Sequence, residues 1–126
     1  MTADRPKVNL EVNIASPLWK EVGFRSKLYC KKLSELVLQE LNHKKNTNIS
    51  LLLCDDEMIQ SLNKQFRQKD KPTNTLSFPG DDDTSLGDIA ISYETTAQEA
   101  TLQAKTFKNH FTHLYIHSLL HLLGYD

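Results

Sequence analysis

Asn48-Ile-Ser-Leu-Leu-Leu-Cys-Asp-Asp-Glu-Met-Ile-Gln-Ser-Leu-Asn-Lys-Gln-Phe66 is the stretch on which the fold turns. Its first half holds a continuous apolar run, Leu51-Leu52-Leu53, bounded by polar residues, which suits a β-strand buried on both faces. Asp55 and Asp56 then offer N-caps, and Met58, Ile59, Leu62 and Phe66 recur at helical spacing, so a helix follows with those four toward the core.

Upstream, Val8, Leu10, Val12 and Ile14 alternate with Asn9, Glu11 and Asn13, the period of a half-buried strand. Ser16-Pro17 supplies an N-cap and a proline at the first helical position, opening a short helix that Gly23 ends. A longer helix follows with Leu28, Leu33, Leu36, Val37, Leu38 and Leu41 at helical spacing. Downstream the chain breaks at Pro72, and Thr75 to Phe78 reads as a short strand stopped by Pro79-Gly80. Leu86 to Ile91 is another strand, and Ser92 caps a polar helix through about Lys105. A last helix runs from about Lys108 to Leu123, with Gly124 as its C-cap. Strands and helices interleave without strict βαβ alternation. The predicted class is α+β (mixed α/β): a small mixed sheet of about four strands surrounded by helices. No repeat, low-complexity tract or linker divides residues 1–126, so one domain is expected.

The totals set limits on function. The 126 residues are 39% hydrophobic and 25% charged, the balance of a globular domain rather than a disordered one. A net charge of −1 does not advertise a polyanionic partner, but its distribution is uneven. Lys64, Arg67, Lys69 and Lys71 cluster against Asp70 alone, while Asp81-Asp82-Asp83 forms a separate acidic knot. Such a basic strip either binds phosphates or forms a solvated loop, and charge alone does not choose. Cys30 and Cys54 lack CxxC spacing and are expected to be free buried thiols in a reducing compartment. The charged N-terminus does not resemble a signal peptide, and no window is apolar enough to span a membrane, so the expected location is the cytoplasm, with no membrane partner.

Chemistry concentrates in the last helix. His110, His113, His117 and His121 follow at spacings of three, four and four, so they share one stripe. Histidines four apart are separated by about 400° of rotation and roughly 6 Å of rise, within reach of one ion. Two such pairs exist, His113/His117 and His117/His121, and spacing does not decide between them. His121 lies one turn before Gly124, where the backbone could return a further ligand toward the metal. The zinc-peptidase pattern HExxH needs a glutamate as general base directly after its first histidine, and Ser118 stands there. The absent glutamate argues against that peptidase class; a polar helix face lined by histidines is the bland alternative.

Taken together, these residues resemble the YbeY-type bacterial endoribonucleases, metal-dependent factors of ribosomal RNA maturation. That family ends in the signature H-G-x-L-H-L-x-G-Y-D-H, matched here at His117, Leu120, His121, Leu122, Gly124, Tyr125 and Asp126. Leu62-Asn63, Phe66-Arg67, Thr73 to Pro79 and Leu86-Gly87-Asp88-Ile89 fall in the family's order, so the likeness is good over about residues 48–126 and weak before. Ser118 replaces the usual glycine, and Asn74 stands where the family often has aspartate. The third metal-binding histidine would follow Asp126 directly.

The resemblance implies a zinc-dependent endoribonuclease of single-stranded RNA, active in rRNA maturation and ribosome quality control. Its partners would be ribosomal RNA and ribosomal particles, with no DNA expected. It makes His117 and His121 metal ligands, with Arg67 as the catalytic phosphate clamp and Lys64, Lys69 and Lys71 as further substrate contacts. Arg67 has a structural alternative, an ion pair with Asp88 or Asp126, and Asp126 could orient a histidine through its other ring nitrogen. With two of three ligands, a chain ending at Asp126 is expected to hold zinc weakly and to show little activity. Two other readings stay open: a different zinc-dependent hydrolase, and a non-enzymatic ribosome-associated RNA-binding factor.

Overall fold

In the computed structural model, which describes residues 6–82 and 84–125, four strands form one mixed sheet. Strands β1 (Val8–Ile14), β2 (Thr47–Cys54), β3 (Thr75–Asp82) and β4 (Ser85–Ser92) lie in the order β1-β2-β4-β3. The first three in that order are parallel, and β3 returns antiparallel along β4 as an edge. Helices α1 (Ser26–Glu40), α2 (Asp56–Arg67), α3 (Tyr93–Leu102) and α4 (Phe107–Leu122) surround it, giving the expected α+β class. No helix among the described residues is long and apolar enough to cross a membrane.

The two faces of the sheet are covered unequally. On one, Ile49, Leu51, Leu53, Ile89 and Ile91 meet Leu38 of α1 and Phe111, Tyr115 and Leu119 of α4 in the main core. On the other, a smaller cluster of Cys54, Ile59, Leu76 and Ala90 sits beneath α2. Polar groups in the main core are paired. Ser34 Oγ donates to the Cys30 carbonyl at 2.6 Å and lies 2.7 Å from the Tyr115 hydroxyl, while the Trp19 indole donates to the Cys54 carbonyl at 2.8 Å. Cys30 and Cys54 are both free and buried, and burial is the main reason each thiol is pushed up to about 12.

Several sequence expectations are corrected. Strand β2 is buried on both faces only at its Leu53-Cys54 end; Ser50 and Leu52 are half-buried because α2 does not reach across the sheet. For the same reason, Ile59 of α2 is buried but Met58 and Phe66 remain 41% and 50% exposed. On α1 the buried line is Cys30, Ser34 and Leu38, whereas Leu28 and Leu36 face outward. The short helix expected after Ser16-Pro17 is present, as a 3₁₀ helix, Pro17–Glu21. Strand β3 does not stop at Pro79-Gly80 but continues to Asp82, because an edge strand tolerates a residue with no N–H to donate. Asp55, not Asp56, caps α2, accepting from the Met58 N–H at 2.9 Å. Ser92 precedes α3 but gives its hydroxyl to Asp56, and α3 ends earlier than expected, at Leu102.

Gly87 shows how tightly the β3–β4 hairpin meets α4. Its φ is +146°, and a Cβ there would collide with the Phe78 carbonyl and come within 2.9 Å of Leu122 Cδ2. Gly87→Ala is expected to cost roughly 2–4 kcal/mol, read as a lower urea midpoint at unchanged slope. A second expectation concerns the thiols. Neither cysteine should react with a disulfide reagent at pH 8 in the native protein, and both should react once it is unfolded.

Candidate active site

Helix α4 divides its residues by the helical period. Phe111, Leu114, Tyr115, Ser118, Leu119 and Leu122 are buried, and His113, His117 and His121 form an exposed line at four-residue spacing. His110 leaves that line. It is 2% exposed, and its Nε2 lies 2.8 Å from Glu99 Oε1 of α3. The four histidines are therefore not one equivalent set. His113 and His117 have near-parallel rings with centroids 6.3 Å apart, but His117 and His121 are the pair that shares a cleft with Arg67.

That cleft, of about 530 Å³, is lined by Arg67 of α2, Asn74 to Ser77 of β3 and its entry, and Leu114, His117, Ser118 and His121 of α4. Strand β3 is tied to α4 beside His117, since the Thr75 hydroxyl lies 2.9 Å from that of Ser118, which also donates to the Leu114 carbonyl at 2.8 Å. The serine found where glycine was the expected family residue thus has a defined partner across the cleft floor.

Arg67 is the last residue of α2 and reaches around the sheet edge. Its Nη2 donates to the Ser77 carbonyl at 2.9 Å, and its guanidinium carbon lies 5.2 Å from the Phe78 ring centroid. Phe78 in turn packs edge-on against Phe66. Among the described residues Arg67 forms no ion pair, so the alternative pairing with Asp88 is not made; Asp126 lies outside them. One of its five donors is committed to Ser77, and its remaining N–H groups are available to an anion.

A second cleft of about 560 Å³ continues from the first, sharing Arg67, Asn74 and Leu76 and adding Lys69, Lys71, Thr73, Thr95 and Glu99. Lys69 and Lys71 are held there by the turn that ends α2. Gln68 adopts a left-handed conformation, and Asn63, 4% exposed, donates its side-chain amide to the Lys71 carbonyl at 2.9 Å. Lys64 points elsewhere, pairing with Asp70 at 3.8 Å on the open surface. Of the four cations grouped by the sequence, three line the joined clefts and Lys64 does not. Glu99 carried no signal in the sequence, being one acidic residue in a polar helix.

As donors, His117 and His121 suit zinc: two imidazoles on one exposed line beside an open cleft. Among the described residues no third histidine, cysteine, aspartate or glutamate completes a metal-binding group with them.

A four-stranded mixed sheet with paired histidines and an arginine on one edge cleft defines a compact α+β protein with a histidine–arginine cleft. Comparison with known proteins identifies the family. The sequence model described as Endoribonuclease YbeY matches residues 18–126. Proteins named Endoribonuclease YbeY are similar in Paramagnetospirillum magneticum, 38% identical over 94% of this chain and 79% of theirs, and in Beijerinckia indica, 40% identical over 93% and 63%. In Acinetobacter baumannii another is 45% identical over 76% of this chain and 66% of its own length, so the chain spans just under two thirds of some relatives. A solution structure from Thermotoga maritima matches 94% of this chain and 74% of its own at a TM-score of 0.64 and 27% identity. This chain belongs to the YbeY endoribonuclease family.

Asn63 offers a test of the basic turn. Asn63→Ala should lower stability by about 1–2 kcal/mol by removing the clamp on Lys71. Amide exchange should rise over residues 68–72, while protection of α4 is retained.

Proposed function

We propose that the protein acts as a zinc-dependent endoribonuclease on single-stranded RNA, in rRNA maturation and ribosome quality control. Its partners on this reading are ribosomal RNA and ribosomal particles in the cytoplasm. The observation that carries the reading is that one cleft joins His117, His121 and Arg67, two neutral metal donors beside an anchored guanidinium. Family membership supports the reaction class, and the zinc and ribosomal assignments rest on the chemistry of these side chains and on the family likeness.

His117 and His121 would hold the metal, with a third imidazole from the position that the family signature sets directly after Asp126. When bound, zinc supplies Lewis-acid polarisation and a hydroxide nucleophile near neutral pH. The chain's own residues do the remaining work. Arg67, fixed by Ser77 and Phe78, clamps the non-bridging oxygens of the scissile phosphodiester and meets the charge that grows on them. Lys69 and Lys71 draw the flanking backbone along the adjoining cleft without reading sequence. An exposed Lys64 already paired with Asp70 contributes at most to long-range attraction.

Cleavage of a single-stranded RNA by the full-length natural protein is the test. His117→Ala and Arg67→Ala should each lower kcat by about 10²–10³-fold, and a chelator should stop the wild-type reaction. Cleavage by His117→Ala at the wild-type rate, with contaminating nuclease excluded, would overturn the metal mechanism. RNA or ribosome binding that survives without any metal-dependent cleavage would indicate a non-enzymatic factor instead.

A further inference from the structure

Strand β3 carries the anchor of Arg67, and α4 carries the histidine pair, so their relative placement sets the spacing of the site. Two ties fix it. The short one is the hydroxyl pair of Thr75 and Ser118. The long one runs through α3. Asn74, at the entry to β3, donates its side-chain amide to both oxygens of Glu99, at 3.0 and 3.3 Å. Glu99 Oε1 also lies 2.8 Å from Nε2 of His110 on α4. Asn74 is a junction in its own right: its Oδ1 accepts from the Thr75 N–H at 2.7 Å, and its main-chain carbonyl from the Ser92 N–H at 2.9 Å.

The cost of this arrangement argues that it has a purpose. His110 is almost wholly buried, and its Nδ1 has no hydrogen-bond partner among the described residues. Glu99 places a carboxylate, 31% exposed, in the cleft that otherwise presents Arg67, Lys69 and Lys71. A carboxylate there opposes phosphate binding. What it supplies is a planar group with two acceptor oxygens that spans the gap from α4 to the start of β3. His110 and Ser118 are eight residues apart, about 12 Å along the helix, so the two ties grip α4 on either side of the turn before His117.

We propose that Glu99 is a positioning residue for the reaction proposed above, on which this inference rests. Latched by His110 and Asn74, it holds β3, and with it Arg67, at a fixed distance from His117 and His121. Asn74 suits this role better than aspartate would, because a second carboxylate would repel Glu99 where an amide donates to it.

Two readouts separate positioning from simple stabilisation. The first needs no activity. The Arg67 side-chain proton resonances should be ring-current shifted by Phe78 in wild-type protein, and Glu99→Ala should move them toward random-coil positions below its melting temperature. Asn74→Ala breaks the same chain at a half-buried residue and should do likewise, which covers the case of Glu99→Ala failing to fold. The second is kinetic. Glu99→Ala should lower kcat about 10- to 100-fold with little change in KM, and Glu99→Gln, which keeps the length and one acceptor, should recover much of it. Glu99→Ala combined with Arg67→Ala should be no worse than Arg67→Ala alone. Unmoved Arg67 resonances in the variants, or effects that multiply in the double variant, would overturn the positioning role. Absence of cleavage by wild-type protein would overturn the nuclease reading, leaving the resonances to decide for Glu99.

Discussion

The burial of one side of α4 against the sheet is the constraint on which the rest of this structure depends. Phe111, Tyr115 and Leu119 are fully enclosed between the sheet and α1, each worth roughly 1.5–3 kcal/mol of transfer free energy. Once those residues face inward, the helical period leaves His113, His117 and His121 no choice of direction. The histidines are thus aimed by the hydrophobic core rather than by contacts of their own. A helix frozen in this way can present an exposed pair of imidazoles without spending binding free energy to arrange them.

Arg67 is placed by a different logic. It sits at the end of a helix on the opposite face of the sheet, and only because β3 is an edge can its side chain pass around to the α4 side. The sheet order therefore matters as much as any single residue. Placing the antiparallel strand outermost brings a guanidinium from one layer and histidines from another to the same cleft.

The sequence made much of this legible. The bounds of β1 follow from strict alternation, and the histidine helix from its spacing and terminal glycine. The exposure of Met58 and Phe66 was not legible, because helical periodicity shows which residues share a face but not how wide the opposing surface is. Proline punctuation misled at Pro79, since its meaning depends on whether a strand has one neighbour or two. In the site, Arg67 and the His117/His121 pair stood out as motif residues, yet the distinction between His110 and its helix mates did not. It depends on Glu99, which approaches from another helix and leaves no mark in local spacing. The role of Ser118 is likewise hidden in local spacing, because its partner Thr75 on β3 is 43 residues away.

An edge strand is also a template on which another chain can pair, and β3 carries several guards against that. Pro79 withholds a donor, Asp81 and Asp82 put exposed negative charge at its far end, and the register with β4 is broken between Pro79 and Asp82. Arg67 adds a fourth, since its hydrogen bond occupies the Ser77 carbonyl, an acceptor that an incoming strand could otherwise use. The side chain that faces the histidine cleft is therefore also an edge cap. Substituting it bears on colloidal behaviour as well as chemistry: the loss would uncover backbone on the sheet edge that lies beside the cleft.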